Sequence, residues 1–279
     1  MHHSITFTAA LAAGALLLGC AGAPSLAPSE QTVAAHVARA TALAGDDMKA
    51  LMRLCNPAPA RQMSPEEGDR YIAGEIAMRA CERSLGTILR EDICIPLEVD
   101  FQIGTPESEH ARCAEMRKPS RGGDFGEITT PRKAAFFTKW AAPVRGSTQW
   151  RKIEIPSANG HGNARSVARL FEAYATGGVI AGTRIVSESA FAALATQRSF
   201  GADLVLPFPV DWRTGVMGNS NGFYGPNPEA FGHAGMGGSV GFGDPVARVS
   251  VGYVMNKQSH HLAGDPRSLA LIGALYACL

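Results

Sequence analysis

Between residues 231 and 245 six of fifteen positions are glycine, in the run Phe-Gly-His-Ala-Gly-Met-Gly-Gly-Ser-Val-Gly-Phe-Gly-Asp-Pro. Glycine weakens a strand, so such a run is expected to let the strand approach a pocket closely. The pattern predicts short strands over 238–242 and 248–255, with Asp244-Pro245 as the turn between them. Ser250, Gly252 and Val254 alternate with Val249, Val251 and Tyr253, the period of a half-buried strand.

Helical signals surround these strands. Asn163 is a good N-cap for a helix with Val167, Leu170, Phe171 and Tyr174 on one side, and Gly177-Gly178 can end it in the left-handed conformation. Ser187 starts another helix through Leu194. Asp265 caps a last helix over 266–277, with Leu269, Ile272, Leu275 and Tyr276 as its apolar positions. Earlier, Ile72, Ile76 and Ala80 recur every four residues, and Ser84 caps a short helix that buries Ile88 and Leu89. Residues 104–155 are rich in Pro, Gly and charge and predict an extended lid or loop that includes Glu107, Glu109 and His110. Trp140, Trp150 and Trp212 are expected to pack in lid or core. Helices on one side of an antiparallel sheet make an α+β fold. The chain is 46% hydrophobic and 18% charged with a net charge of +1, which fits a globular domain and offers no electrostatic attraction for nucleic acid.

The start of the chain reads as an address. Residues 1–19 have the apolar core and small-residue end of a signal peptide, too short to span a bilayer. Leu17-Leu18-Gly19-Cys20 has the order of a bacterial lipobox, which makes Cys20 the expected lipidation site of an exported periplasmic or outer-membrane lipoprotein. Residues 20–65 form an Ala/Pro-rich leader with a helix over 32–54 and a linker at Pro57, Pro59 and Pro65. This leader is similar to that of some exported metallo-β-lactamase-fold hydrolases, but HxHxDH is absent and no metal chemistry follows. No cysteine pair has CxxC spacing and His260-His261 lacks a third ligand, so neither metal nor other cofactor is expected. With Cys20 set aside, five cysteines remain. Outside the cytoplasm an odd number leaves a free thiol or an intermolecular bridge, and the spacing does not choose the pairs.

Four stretches stand in a telling order: Tyr71 to Arg79 with Arg83 to Glu91, Phe101-Gln-Ile-Gly-Thr-Pro-Glu107, Ile155-Pro-Ser-Ala-Asn-Gly-His-Gly162, and the run from Phe231 through Lys257. Together they resemble the class C β-lactamase-related serine hydrolases, a family of esterases, β-lactamases and D-Ala peptidases. The resemblance implies a β-lactamase/penicillin-binding-transpeptidase-like fold over 66–279, an incomplete one. It also implies hydrolysis of a small ester, lactone or lactam through a Ser-x-x-Lys turn, a tyrosine motif and a Lys-Thr-Gly or His-x-Gly strand. His233-Ala234-Gly235 matches the last of these. No serine is followed three residues later by lysine, and Thr130-Pro131-Arg132-Lys133 is the nearest approach. Where the tyrosine motif belongs the chain reads Ser64-Pro65-Glu66-Glu67-Gly68-Asp69-Arg70.

Gly237-Gly238-Ser239-Val240-Gly241 spells G-x-S-x-G, but a strand follows it where an α/β-hydrolase elbow needs a helix. Ser239 is therefore either a locally bonded strand residue or the nucleophile, with His233 as its nearest base and no partner carboxylate specified; Asp244 is close in sequence only. Gly235, Gly238 and His161 are the candidate substrate-binding positions, His161 being equally a loop anchor together with Asn159. An exported carboxylesterase or lactonase is the leading expectation. The alternatives are an inactive relic or binding module and a β-lactam or D-Ala peptide hydrolase. Missing sheet and helical cover would expose apolar surface, lower stability and favour self-association.

Overall fold

A computed structural model describes residues 78, 81–129, 133, 137, 146–155 and 158–279. The leader, Cys20, the helix face at Ile72 and Ile76, the Thr130-Pro131-Arg132 stretch and Trp140 lie outside the described residues. In chain order the elements are helix α1 (Leu85–Ile88), running on as a π-helical segment (Leu89–Cys94), strand β1 (Phe101–Gln102), a 3-10 helix (Glu107–Arg112), helix α2 (Thr148–Lys152) and strand β2 (His161–Gly162). Helix α3 (Ala164–Ala175), strands β3 (Val179–Ile180) and β4 (Thr183–Arg184), and helix α4 (Glu188–Ala195) follow. Strands β5 (Ser199–Ala202), β6 (Pro209–Trp212), β7 (Met217–Gly218), β8 (Phe231–Ala234), β9 (Val240–Asp244) and β10 (Val249–Tyr253) lead to helix α5 (Pro266–Tyr276).

The main sheet has six strands in the order β10-β9-β8-β7-β6-β5, and every neighbouring pair is antiparallel. Cross-strand partners share a face. One face therefore presents Phe231, Gly243 and Ser250, with Gly241 and Gly252 beside them. Helix α3 lies directly on it. A Cβ on Gly243 would stand 2.5 Å from the Ala175 amide nitrogen, and one on Gly252 would stand 2.6 Å from that of Ala168. The glycine-rich pattern thus serves a backbone approach, helix against sheet. Val167, Leu170, Phe171 and Tyr174 of α3 close one core with Leu85, Ile88, Phe101 and Phe231. The other face, with Phe242, Val240 and Ala234, packs against Ile272 of α5 and Tyr224.

The expected caps hold. The side chains of Ser84, Asn163, Ser187 and Asp265 each accept a backbone N–H in the first turn of the helix that follows, and Gly177 and Gly178 follow α3 with φ of 72° and 94°. Differences are instructive too. The strand expected over 238–242 begins at Val240, because Gly235 to Ser239 closes the hairpin with a bond from Gly235 N to Ser239 O. The stretch 104–155 is not uniformly extended, since it contains the 3-10 helix and α2. Trp150 is 5% exposed and belongs to the core. Further along, Arg117 pairs in parallel with Lys257 and Asp124 N donates to His260 O, so this part of the stretch lies along the loop after β10. Cys81 is in a disulfide whose partner lies outside the described residues, while Cys94, Cys113 and Cys278 are free thiols.

Candidate active site

The β8–β9 hairpin carries both sequence candidates. His233 stands opposite Gly241 and Ala234 opposite Val240, and the Gly235 N to Ser239 O bond, 2.7 Å, continues the ladder by one step. One ladder step before β9, Ser239 falls on the side of Gly241, which is also the side of His233. The pair is diagonal, a backbone separation of about 7–8 Å that side chains must bridge. Both are buried, His233 at 6% and Ser239 at 1% exposed. His233 Nδ1 lies 2.8 Å from Ala234 O. A carbonyl only accepts, so in the neutral ring Nδ1 carries the hydrogen and Nε2 the lone pair, the tautomer a general base requires.

Trp212 of β6 packs beside that imidazole, ring centroids 6.4 Å apart. Its indole N–H donates to Asp203 Oδ2 at 2.9 Å, and Asp203 Oδ1 accepts from Val205 N and Leu206 N. The tryptophan is thereby fixed in place. The register sets Trp212 in line with Met217, Gly232 and Phe242, so it packs against the Tyr224 and Phe242 core, in keeping with the core packing its sequence suggested.

Asp244 is not the carboxylate for His233. It ends β9 at the opposite end from Ser239, roughly 16 Å along the strand at about 3.3 Å per residue. It is fully buried and accepts from Asn227 Nδ2, Val246 N, Ala247 N and the Tyr276 hydroxyl. Burial alone would raise its pKa, but the bonds from Tyr276, Ala247, Asn227 and Val246 outweigh it and hold the carboxyl below its ordinary range. Asp211 on β6, also buried, accepts from Gln197 at 2.8 Å and faces Arg213 at 3.6 Å. Arg213 in turn lies over the Phe231 ring, 4.9 Å from its centroid, in a cleft of about 360 Å³ at the far end of β8.

His161 sits on β2, opposite Gln102 of β1. Asn159 ties the preceding turn together, donating to Trp150 O and Ile153 O and accepting from Ile155 N. His161 Nδ1 meets Asn159 O at 2.7 Å and its ring packs edgewise on Trp150. This is the anchored loop the sequence suggested for Asn159 and His161. Burial lowers the His161 pKa to about 4, with Arg151 and His110 pushing the same way against the Asn159 bond. An imidazole that resists protonation in the folded state takes up a proton more readily in the unfolded chain. Stability is therefore expected to fall as pH drops from about 6.5 towards 4. Urea midpoints across that window should slope downward, and His161→Gln should flatten the slope. The loss carried by Asp244 and by Asp265, whose carboxyl is also held low, comes only at more acidic pH.

Glu107 is exposed, whereas His110 is half-buried and donates to Thr105 O. The His260 and His261 rings stack at 4.0 Å with Arg121 against His260. Gly235 and Gly238 lie in the hairpin turn itself. The residues least visible in the sequence are Asp265 and Arg267, whose side chains reach that turn from the start of α5: Arg267 Nη2 donates to Gly237 O at 3.2 Å. Asp265 was legible only as a cap.

Comparison with known proteins identifies the family. The Beta-lactamase family pattern matches residues 33–274. The chain is 28% identical over 201 residues to "Esterase/beta-lactamase LipL" of Mycobacterium tuberculosis, an alignment covering 67% of this chain and 46% of that protein, so it spans about half the length of that relative. Among solved structures it resembles a penicillin-binding protein homolog from Caulobacter crescentus at 38% identity and a TM-score of 0.78, covering 99% of this chain and 83% of the other. A family VIII carboxylesterase follows at 29% identity and 0.74, with the same coverage of 99% and 83%. With an antiparallel sheet flanked by helices and the His-x-Gly strand in place, the chain belongs to the Beta-lactamase family, the β-lactamase-related class of serine hydrolases.

Proposed function

We propose that this protein is an exported serine esterase or lactonase that acts on small, uncharged esters, with Ser239 as nucleophile and His233 as general base. The observation that carries the reading is the hairpin geometry: Ser239 and His233 share one side of β8–β9, and with its Nδ1 hydrogen on Ala234 O a neutral His233 carries its basic lone pair on Nε2. Ser239 Oγ would attack the ester carbonyl. The proton held on His233 passes to the departing alcohol, and water then releases the acid by the reverse relay. Gly235, Gly238 and His161 are the candidate positions framing the substrate. Likeness to a family VIII carboxylesterase supports ester chemistry.

Labelling with a fluorophosphonate probe tests this, because only an activated serine reacts. The Ser239 peptide is expected to carry the adduct. An adduct on a different serine would reassign the nucleophile, and no adduct together with no ester turnover would favour an inactive relic or binding module. The 38% identity to a penicillin-binding protein homolog supports a second reading, acylation by a β-lactam or a D-Ala peptide. Stable labelling by a fluorescent penicillin would favour it.

Two further expectations concern where the protein sits and what it meets. The disulfide at Cys81 suits an oxidising compartment, in keeping with the apolar leader and lipobox. Cys20→Ala should move the protein from the membrane fraction to the soluble one; a parent already soluble after processing elsewhere would overturn the anchor. Phe200 and Leu204, 63% and 64% exposed, stand near the β5 edge of the sheet. Such surface favours self-association and marginal stability, and light scattering across a dilution series should show mass rising with concentration.

A further inference from the structure

Backbone bonds close the hairpin turn from Gly235 to Ser239. Gly238 N donates to Gly235 O at 3.1 Å, and Gly235 N to Ser239 O. Gly237 and Gly238 adopt φ of 98° and 118°, a region side-chain-bearing residues avoid, so the turn takes a shape that glycine permits. The turn is also held from outside. Gly237 O accepts from Ser259 N at 2.8 Å and from Arg267 Nη2 at 3.2 Å, and Gly237 N donates to His261 O at 3.0 Å. Arg267 Nη1 donates to Lys257 O at 2.9 Å, which ties down the loop that holds the turn. Over Gly238 there is no room: a Cβ there would stand 2.9 Å from Arg267 Nη2 and 3.0 Å from Asp265 Cγ.

Asp265 does two separable things. Its Oδ1 accepts from Arg267 N at 2.8 Å, which caps α5. Both oxygens also grip the Arg267 guanidinium, Oδ1 from Nε at 3.0 Å and Oδ2 from Nη2 at 2.5 Å. A helix cap needs only the first bond. The second set is a fork-to-fork pair, which aims the remaining guanidinium hydrogens at two carbonyls on different segments. At 2% exposure Asp265 is out of solvent. Lysine could keep the charge but not the fork.

We propose that Arg267, oriented by Asp265, is the positioning residue of the Gly235 to Ser239 turn, holding Ser239 and the Gly235 backbone in register with His233. This deepens the serine-esterase reading and rests on it for its catalytic consequence, though the clamp itself can be measured without turnover.

The test uses the full chain and the variants Arg267→Gln, Arg267→Lys and Asp265→Ser, the last of which keeps a capping hydroxyl. Amide hydrogen exchange of Gly235, Gly237 and Ser259 is expected to quicken by about 10-fold or more in all three, while amides within α3 keep their rates. Hydrolysis of p-nitrophenyl butyrate should lose about 10-fold or more in kcat with KM changed by less than about twofold, because a misplaced serine costs transition-state rather than ground-state contacts. The limbs of the kcat–pH profile should stay where they were. Unchanged exchange at the turn, or equal acceleration at every amide, would overturn the clamp. Full kcat in Arg267→Lys would show that charge alone suffices and would overturn it too. If the parent hydrolyses no ester, the functional reading fails while the exchange pattern still decides the clamp.

Discussion

Ser239→Ala is expected to reduce p-nitrophenyl butyrate hydrolysis by several orders of magnitude while leaving the melting temperature within a few degrees. Removing a nucleophile typically costs about 10⁴–10⁶ in turnover, since what survives is binding and electrostatic assistance alone. The same substitution at a buried strand serine whose hydroxyl only bonds locally costs a hydrogen bond, about 1 kcal/mol, and leaves turnover nearly intact. The two roles thus differ by orders of magnitude in one assay. His233→Ala is the companion variant. If His233 is the base, the double variant should be scarcely slower than either single one, because the two act as a unit. Independent, multiplying losses would break the proposed pairing.

The largest expected effect on stability is elsewhere. Gly252→Val should destabilise the fold by about 3 kcal/mol or more, because the atoms it would meet are backbone and cannot rotate away. A Cβ at 252 would stand 2.6 Å from the Ala168 amide nitrogen and 2.8 Å from Val167 Cβ. Helix α3 would have to lift off β10, opening the core that Val167 and Phe171 close. Gly273→Ala on α5 is the contrast. That position has open space around it, and alanine there should stabilise by about 0.5–1 kcal/mol through helix propensity. Chemical denaturation of the pair measures both signs, and a Gly252→Val protein as stable as the parent would contradict the close packing.

How legible this was depended on the range of the interactions. Caps at Ser84, Asn163, Ser187 and Asp265 are local, settled by one side chain and the next few amides, and the sequence states them. The β9–β10 hairpin was likewise announced by its alternation. The strands β5 to β7 were not, because Pro209-Val-Asp-Trp and the two-residue β7 carry no clear alternation and are strands only by virtue of their neighbours. Within the site, His233 was recognisable from a motif. Arg267 could not be, since it matters through a contact made across many residues of sequence, to a carbonyl. Asp244, close to His233 in sequence only, has its carboxylate committed at the opposite end of the strand.

The order of the main sheet has a kinetic corollary. Its strands follow one another in space as they do along the chain, so each pairing closes a short loop and asks little of chain entropy. A nascent polypeptide can therefore zip β5 through β10 in the order of synthesis, without waiting for a distant partner. Seating α3 is different: residues 164–175 must come back to meet residues 240–253, the longest closure among these elements. Refolding should show this as two events, early sheet formation seen by circular dichroism and later burial of Trp150 and the α3 aromatics seen by fluorescence. Gly252→Val would slow the second and spare the first.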